Sequence, residues 1–132
     1  MTATATQIRV LRVYDQRRPH GGVRILVDRL WPRGLTKDQA DLDDWCRVIA
    51  PSSALRIWYG HEQAKFSEFT RRYREELTEP ARATELKHLR GMAQSVPLTL
   101  LTATRQVELS HAAVLADLLR IEMDPADGRP PD

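Results

Sequence analysis

The chain has one cysteine, Cys46, in 132 residues. A disulfide within the chain and a cysteine-based metal cluster are both excluded, and the expected location is the reducing cytoplasm. Long hydrophobic runs are missing too. None approaches the roughly 20 residues of a membrane-spanning helix, and Met1 to Thr6 lack the basic and apolar regions of a secretory signal. A soluble protein with no membrane partner is expected. Neither sign of charge dominates, since 20 basic residues face 18 acidic ones and leave a formal charge of +2. Binding of nucleic acid by bulk positive charge is thereby disfavoured. Lysine is scarce: 17 of the 20 basic residues are arginine. That favours bidentate capture of carboxylate or phosphate, although a biased genome composition gives the same excess. A Walker-type glycine loop, a Gly-x-Gly-x-x-Gly turn, a Gly-x-Ser-x-Gly elbow and a His-Glu-x-x-His helix are all absent. No cofactor and no metal site is implied.

What the chain does contain suffices for one domain, with 42% apolar residues and no repeat. Residues 7–121 are expected to form it, between disordered tails at 1–6 and at 122–132, the latter rich in proline and aspartate. The rest is organised around Ile25-Leu26-Val27-Asp28-Arg29-Leu30-Trp31-Pro32-Arg33-Gly34. Branched apolar residues there make a strand covered on both faces, which ends abruptly in charge. Strands are expected at 8–14, 23–28 and 98–102. The loop between the first two is too short for a usual parallel crossover, so they are antiparallel neighbours or lie apart in the sheet. Thr36-Lys37-Asp38-Gln39 has capping-box spacing, and Leu42, Trp45 and Ile49 continue a helical stripe to Ala50-Pro51. A helix capped by Ser52 or Ser53 runs to Gly60. A longer one spans 63–78 with Phe66, Phe69, Tyr73 and Leu77 on one face, and another starts at Pro80. A last helix, ending near Ile121, carries Val107, His111, Val114, Leu115 and Leu118 on its apolar face. The resulting class is α/β: a single compact domain with a small, mostly parallel sheet flanked by helices.

In an open α/β sheet the ligand crevice lies beyond the carboxyl ends of the strands. Residues 28–33 and 102–105 would line one cleft if their strands are parallel neighbours, and His111 would point toward it. Asp28 and His111 are the acid–base candidates, and Arg29, Arg33, Arg56, His61, Thr102 and Thr104 are the candidate ligand-binding residues. Each has a structural alternative. Asp28 and Arg29 also suit a strand-end ion pair, His111 a satisfied core histidine, and His61 a helix-capping position. Arg29 and Arg33, with the Gly34 amide and the Thr36 cap, also suit an anion site at a helix N-terminus. Trp31-Pro32 suits a pocket wall or a cis bond. Trp45 and Trp58 suit the core, and Cys46 a passive thiol.

Several of these runs resemble the YeaO-like proteins of the domain of unknown function 488 family. The resemblance rests on residues 24–34, Asp43-Asp44-Trp45, Ile49-Ala50-Pro51-Ser52, Leu55-Arg56, Gly60-His61, Phe69-x-x-x-Tyr73, Glu76-Leu77 and Thr99-Leu100-Leu101. It implies a small cytoplasmic α/β protein of the short branch and brings no established activity. The longer branch of that family has a Cys-Ala-Glu pattern after its third core strand and a Cys-His-Arg opening to the next helix. Here Thr102-Ala103-Thr104 and Ser110-His111-Ala112 stand instead, so thiol or metal chemistry is not carried over. The short branch more usually has a Tyr-Ala-Ala-Lys-Asp-like run and Asn-His-Ala, from which Thr102-Ala103-Thr104-Arg105 and Ser110 also depart.

Three functions fit. The first is a protein binding a small anionic ligand, a nucleotide or phosphorylated metabolite, with or without acid–base catalysis. The second is a nucleic-acid-binding accessory protein. The third is a protein-interaction module in which the polar motif is a closed ion-pair network. Monomer and homodimer both remain open.

Overall fold

Alternating apolar residues on four strands build a sheet buried on both faces. The computed structural model describes residues 7–123, and the expected tails at 1–6 and 124–132 lie outside the described residues. The strands are β1 (Ile8–Arg12), β2 (Val23–Leu26), β3 (Asp44–Trp45) and β4 (Leu98–Thr102). All pair in parallel, in the order β1-β4-β2-β3. The first two strands are therefore separated, with β4 between them: Ile8 is in register with Leu98, and Leu26 with Leu101.

On one face Ile25, Val27, Leu98 and Leu100 meet the apolar sides of four helices. These are α2 (Ser53–Tyr59), α3 (Phe66–Glu76), α4 (Pro80–Ala93) and α5 (His111–Met123). Helix α5 continues two residues past the expected domain boundary at 121. On the other face Val13, Leu26 and Leu101 form a smaller cluster with Ala40, covered by Trp31, Leu35, Leu42 and Trp45. Period-two alternation serves both clusters, so a one-residue slip of register would exchange them.

The helix expected through Ile49 stops early. Helix α1 (Lys37–Ala40) has the full capping box from Thr36 and Gln39, but Asp41 takes a left-handed φ of 51° and ends it. The chain then extends, and Asp44–Trp45 pairs with β2 as an edge strand. An aspartate-rich segment forms such turns easily, because the short polar side chain tolerates that conformation. Trp45 and Ile49 still bury apolar surface, but not on one helix. Residues 63–65 form a separate 3-10 turn before α3, and a further one at 107–109 precedes α5.

Buried Arg24 anchors the covering segment. Its side chain is 1% exposed. The guanidinium donates to the carbonyls of Asp41 (2.8 Å), Ala40 (2.8 Å) and Asp15 (3.2 Å). Charge-assisted donors to backbone oxygens are a strong way to hold irregular chain against a sheet. Among the described residues no helix is long and apolar enough to cross a membrane.

Candidate functional site

Because β2 and β4 are parallel neighbours, both leave the sheet at the same edge, and the segments that follow them face each other. The Val27 amide donates to Leu101 O at 3.0 Å, continuing the ladder one residue beyond β2. Asp28 follows, and its Oδ2 accepts the Ala103 amide at 2.8 Å. One carboxylate therefore ties the two walls together. The Asp28 carbonyl is fixed in turn by the Trp45 indole N–H at 2.8 Å.

His111 stands at the first position of α5, after Ser110, whose Oγ accepts from the Ala113 amide at 3.2 Å. Its Nε2 lies 2.9 Å from Val27 O and 3.3 Å from Asp28 Oδ1. Both neighbours are acceptors, so Nε2 carries the hydrogen, and it is donated to the carbonyl. The side chains of His111 and Asp28 are only 12% and 16% exposed. Burial alone would raise the Asp28 pKa. Burial is the largest single influence, but the His111 contact, the Ala103 amide and the Thr102 hydroxyl together outweigh it and hold the carboxyl below its ordinary value. Behind His111 the ring of Tyr73 stands edge-on at 6.0 Å, with its hydroxyl donating to Ile49 O at 2.6 Å.

Outside this pair opens a cleft of about 790 Å³. Apolar and aromatic walls come from Trp31, Pro32, Tyr59, Phe69 and Leu109, and cations from Arg29, Arg33, Arg56 and Arg105. Asp28 is the one carboxylate in the lining. Elsewhere Arg17, Arg71, Arg72, Arg82 and Arg120 each reach an aspartate or glutamate. Among the described residues no carboxylate lies within ion-pair distance of the four cleft arginines. Among the described residues their only side-chain hydrogen bond runs from Arg29 Nη1 to Ser53 Oγ at the start of α2.

The expected site residues separate as follows. Asp28, His111, Arg29, Arg33, Arg56, His61 and Thr104 all line the cleft. Thr102 does not. It is fully buried behind the wall, where its hydroxyl bonds Thr104 Oγ1 and the Thr104 amide, both at 3.2 Å. The strand-end ion pair between Asp28 and Arg29 is not formed, because Asp28 turns to His111 and Arg29 to Ser53. An anion site at the start of α1 has no basis either: that helix is four residues long and its cap is filled by Thr36 and Gln39. His61 adopts a left-handed φ of 59° after Gly60 at 54°, so the junction is two residues deep. Trp31-Pro32 forms a cleft wall with a trans bond. Burial pushes the Cys46 thiol up to about 12, and a Glu85 carboxylate beside it adds to the effect, so it stays protonated.

Tyr59 and Phe69, stacked with centroids 4.2 Å apart, are both cleft residues; Phe69 was expected only on the apolar face of its helix, and Tyr59 was not singled out. The signal was present, since Tyr59 directly precedes Gly60-His61. Arg105 was expected within the 102–105 wall of the cleft but not among the ligand-binding residues. Among the described residues no three histidine, cysteine or acidic side chains gather as a metal site.

Fold and site together define an α/β domain with a cleft at the carboxyl edge of a parallel sheet. The chain belongs to the domain of unknown function 488 family: residues 7–131 match the family model described as the inactive DUF488-N3 subclade. It is 49% identical over 114 residues to an uncharacterised protein of Mycobacterium tuberculosis (strain ATCC 25618 / H37Rv), covering 86% of this chain and 94% of that one. It is 42% identical over 113 residues to the uncharacterised protein YeaO of Escherichia coli (strain K12), covering 86% and 96%. No solved structure matches it.

Proposed function

We propose that the cleft binds a small anionic ligand, a nucleotide or phosphorylated metabolite, and holds it without converting it. One observation carries this reading: four arginines from three segments line an apolar-walled cleft with no carboxylate in ion-pair reach among the described residues. Unmatched guanidiniums converging on a concave site favour an anion from solvent, and the cleft volume lies within the usual range for small-molecule sites. Binding without turnover is supported by the word inactive in the family description. It is supported also by the engaged hydroxyl of Ser110, which donates to Val107 O at 2.6 Å, and by the protonated Cys46. The reading includes a cytoplasmic location, which suits a chain whose one thiol is buried.

The Asp28–His111 pair favours a second reading, acid–base catalysis on the same ligand, and product formation separates the two. A nucleic-acid accessory role would need a continuous exposed basic stripe. A purely structural network would need the cleft arginines to be ion-paired.

The test is a thermal-shift screen against nucleotides and phosphorylated metabolites. A ligand at 100 times its Kd stabilises the fold by about 2.7 kcal/mol, a shift of several degrees. Arg29→Ala/Arg33→Ala is expected to keep the fold, since both side chains are exposed, and to remove most of that shift. Equal shifts in the wild type and this variant would sink the reading.

A further inference from the structure

We propose, resting on the anion-binding reading above, that the ligand is a phosphomonoester received at the cleft floor by His111 in its doubly protonated form, so that binding takes up a proton. The ligand class follows from the donors. A carboxylate is satisfied by one bidentate guanidinium. Here Arg29 and Arg33 approach from the segment after β2, Arg56 from α2 and Arg105 from the segment after β4. Cations arriving from several directions suit a tetrahedral dianion, with the aromatic walls left for the organic group it esterifies.

The protonation follows from the ring geometry. Nε2–H is committed to Val27 O, with Asp28 Oδ1 3.3 Å away. Nδ1 makes no hydrogen bond among the described residues. It can donate to a ligand oxygen only if it too carries a hydrogen, which makes the ring an imidazolium. With a neutral ring the floor presents only the Asp28 carboxylate, which repels an anion. With a protonated ring the pair is neutral and has an outward donor. The first turn of α5, a helix of thirteen residues, puts its positive dipole end at the same point, which attracts the anion and opposes charging of the ring until an anion is there.

The groups facing His111 are Asp28 from the chain after β2, Tyr73 from α3, and the cleft cations. Burial pushes the Tyr73 hydroxyl up, and the Cys46 thiol is also high, so neither titrates near neutrality. His61 is the other imidazole in the lining.

Linkage gives the sign: a complex that takes up a proton loses affinity as pH rises, by up to about tenfold per pH unit. The second ionisation of a phosphomonoester, centred at about pH 6, is nearly complete by pH 8, so a decline between pH 8 and 9 belongs to the protein. The experiment is calorimetric titration with adenosine 5′-monophosphate, adenosine and inorganic phosphate at pH 8, in buffers of different ionisation enthalpy. Expected are binding of the monophosphate but not of adenosine, uptake approaching one proton, loss of that uptake in His111→Gln, and its retention in His61→Gln. If His111→Gln fails to fold, the wild-type His111 ring nitrogens followed by NMR must show the ring becoming protonated as phosphate is added at pH 8. Binding without uptake, or uptake that vanishes with His61→Gln instead, overturns this inference and leaves the anion reading standing. Failure of any phosphomonoester to bind, with Arg29→Ala/Arg33→Ala indistinguishable from wild type, overturns both.

Discussion

Asp28 is held by neighbours that exist only in the folded chain: the Ala103 amide, the Thr102 hydroxyl and the His111 ring. Its pKa is therefore depressed from the ordinary 3.8, despite burial acting the other way. A depressed folded value means that the carboxylate's contribution is fully present above the unfolded value and is lost as pH falls through the folded one. Asp28→Asn keeps an acceptor for Ala103 but loses the charge. It is expected to cost about 1–3 kcal/mol at pH 7 by urea denaturation, with the gap to wild type closing as pH drops below 3.8. A gap independent of pH would show that charge plays no part. The helical spacing of Val107, His111 and Val114 already pointed His111 at the sheet. That its partner is Asp28 was not legible, because the contact spans 83 positions and depends on which strands are neighbours.

Elements read from local signals were recovered where one signal acted alone. Pro80 at the start of α4 and Gly60 at the end of α2 stand where the sequence put them, and of the two serines offered as the cap of α2 it is Ser52 that serves. The failure came at residues 41–49, where Leu42, Trp45 and Ile49 have helical spacing, yet Asp41 breaks the helix and pairing with β2 captures Asp44–Trp45. Tertiary pairing overrode periodicity there. The glycines allow a sharper test at this scale. A Cβ on Gly22, φ +72°, would sit 2.0 Å from Pro97 O, where the chain enters β2 beside β4. A Cβ on Gly34, φ +76°, would meet nothing within 4 Å. Gly34→Ala should therefore cost only the conformational penalty of about 1–2 kcal/mol. Gly22→Ala should cost clearly more, because Pro97 O accepts the Val23 amide at 3.0 Å and cannot easily yield. Denaturant midpoints with unchanged slopes would check this, and equal losses would contradict it.

At the scale of the molecule, two apolar clusters share one sheet, so neither face can open without exposing the other. Unfolding is expected in one transition, with far-UV circular dichroism and tryptophan fluorescence coinciding. Trp31 and Trp45 report on the smaller cluster and Trp58 on the larger, and non-coincident curves would show the two faces to be independent. The α/β class and the idea of a strand-end cleft were legible, because buried runs such as residues 98–102 between helices leave few alternatives. Strand order was not, since β1 and β2 follow each other in sequence and are nevertheless separated by β4. That order has a consequence for synthesis. The central strand is the last of the four to be made. Until it emerges, β1 has no partner and β2 has only the two residues of β3. A nascent chain halted before Leu98 therefore has neither a sheet nor the second wall of its cleft, and folding and the capacity to bind begin with the same five residues.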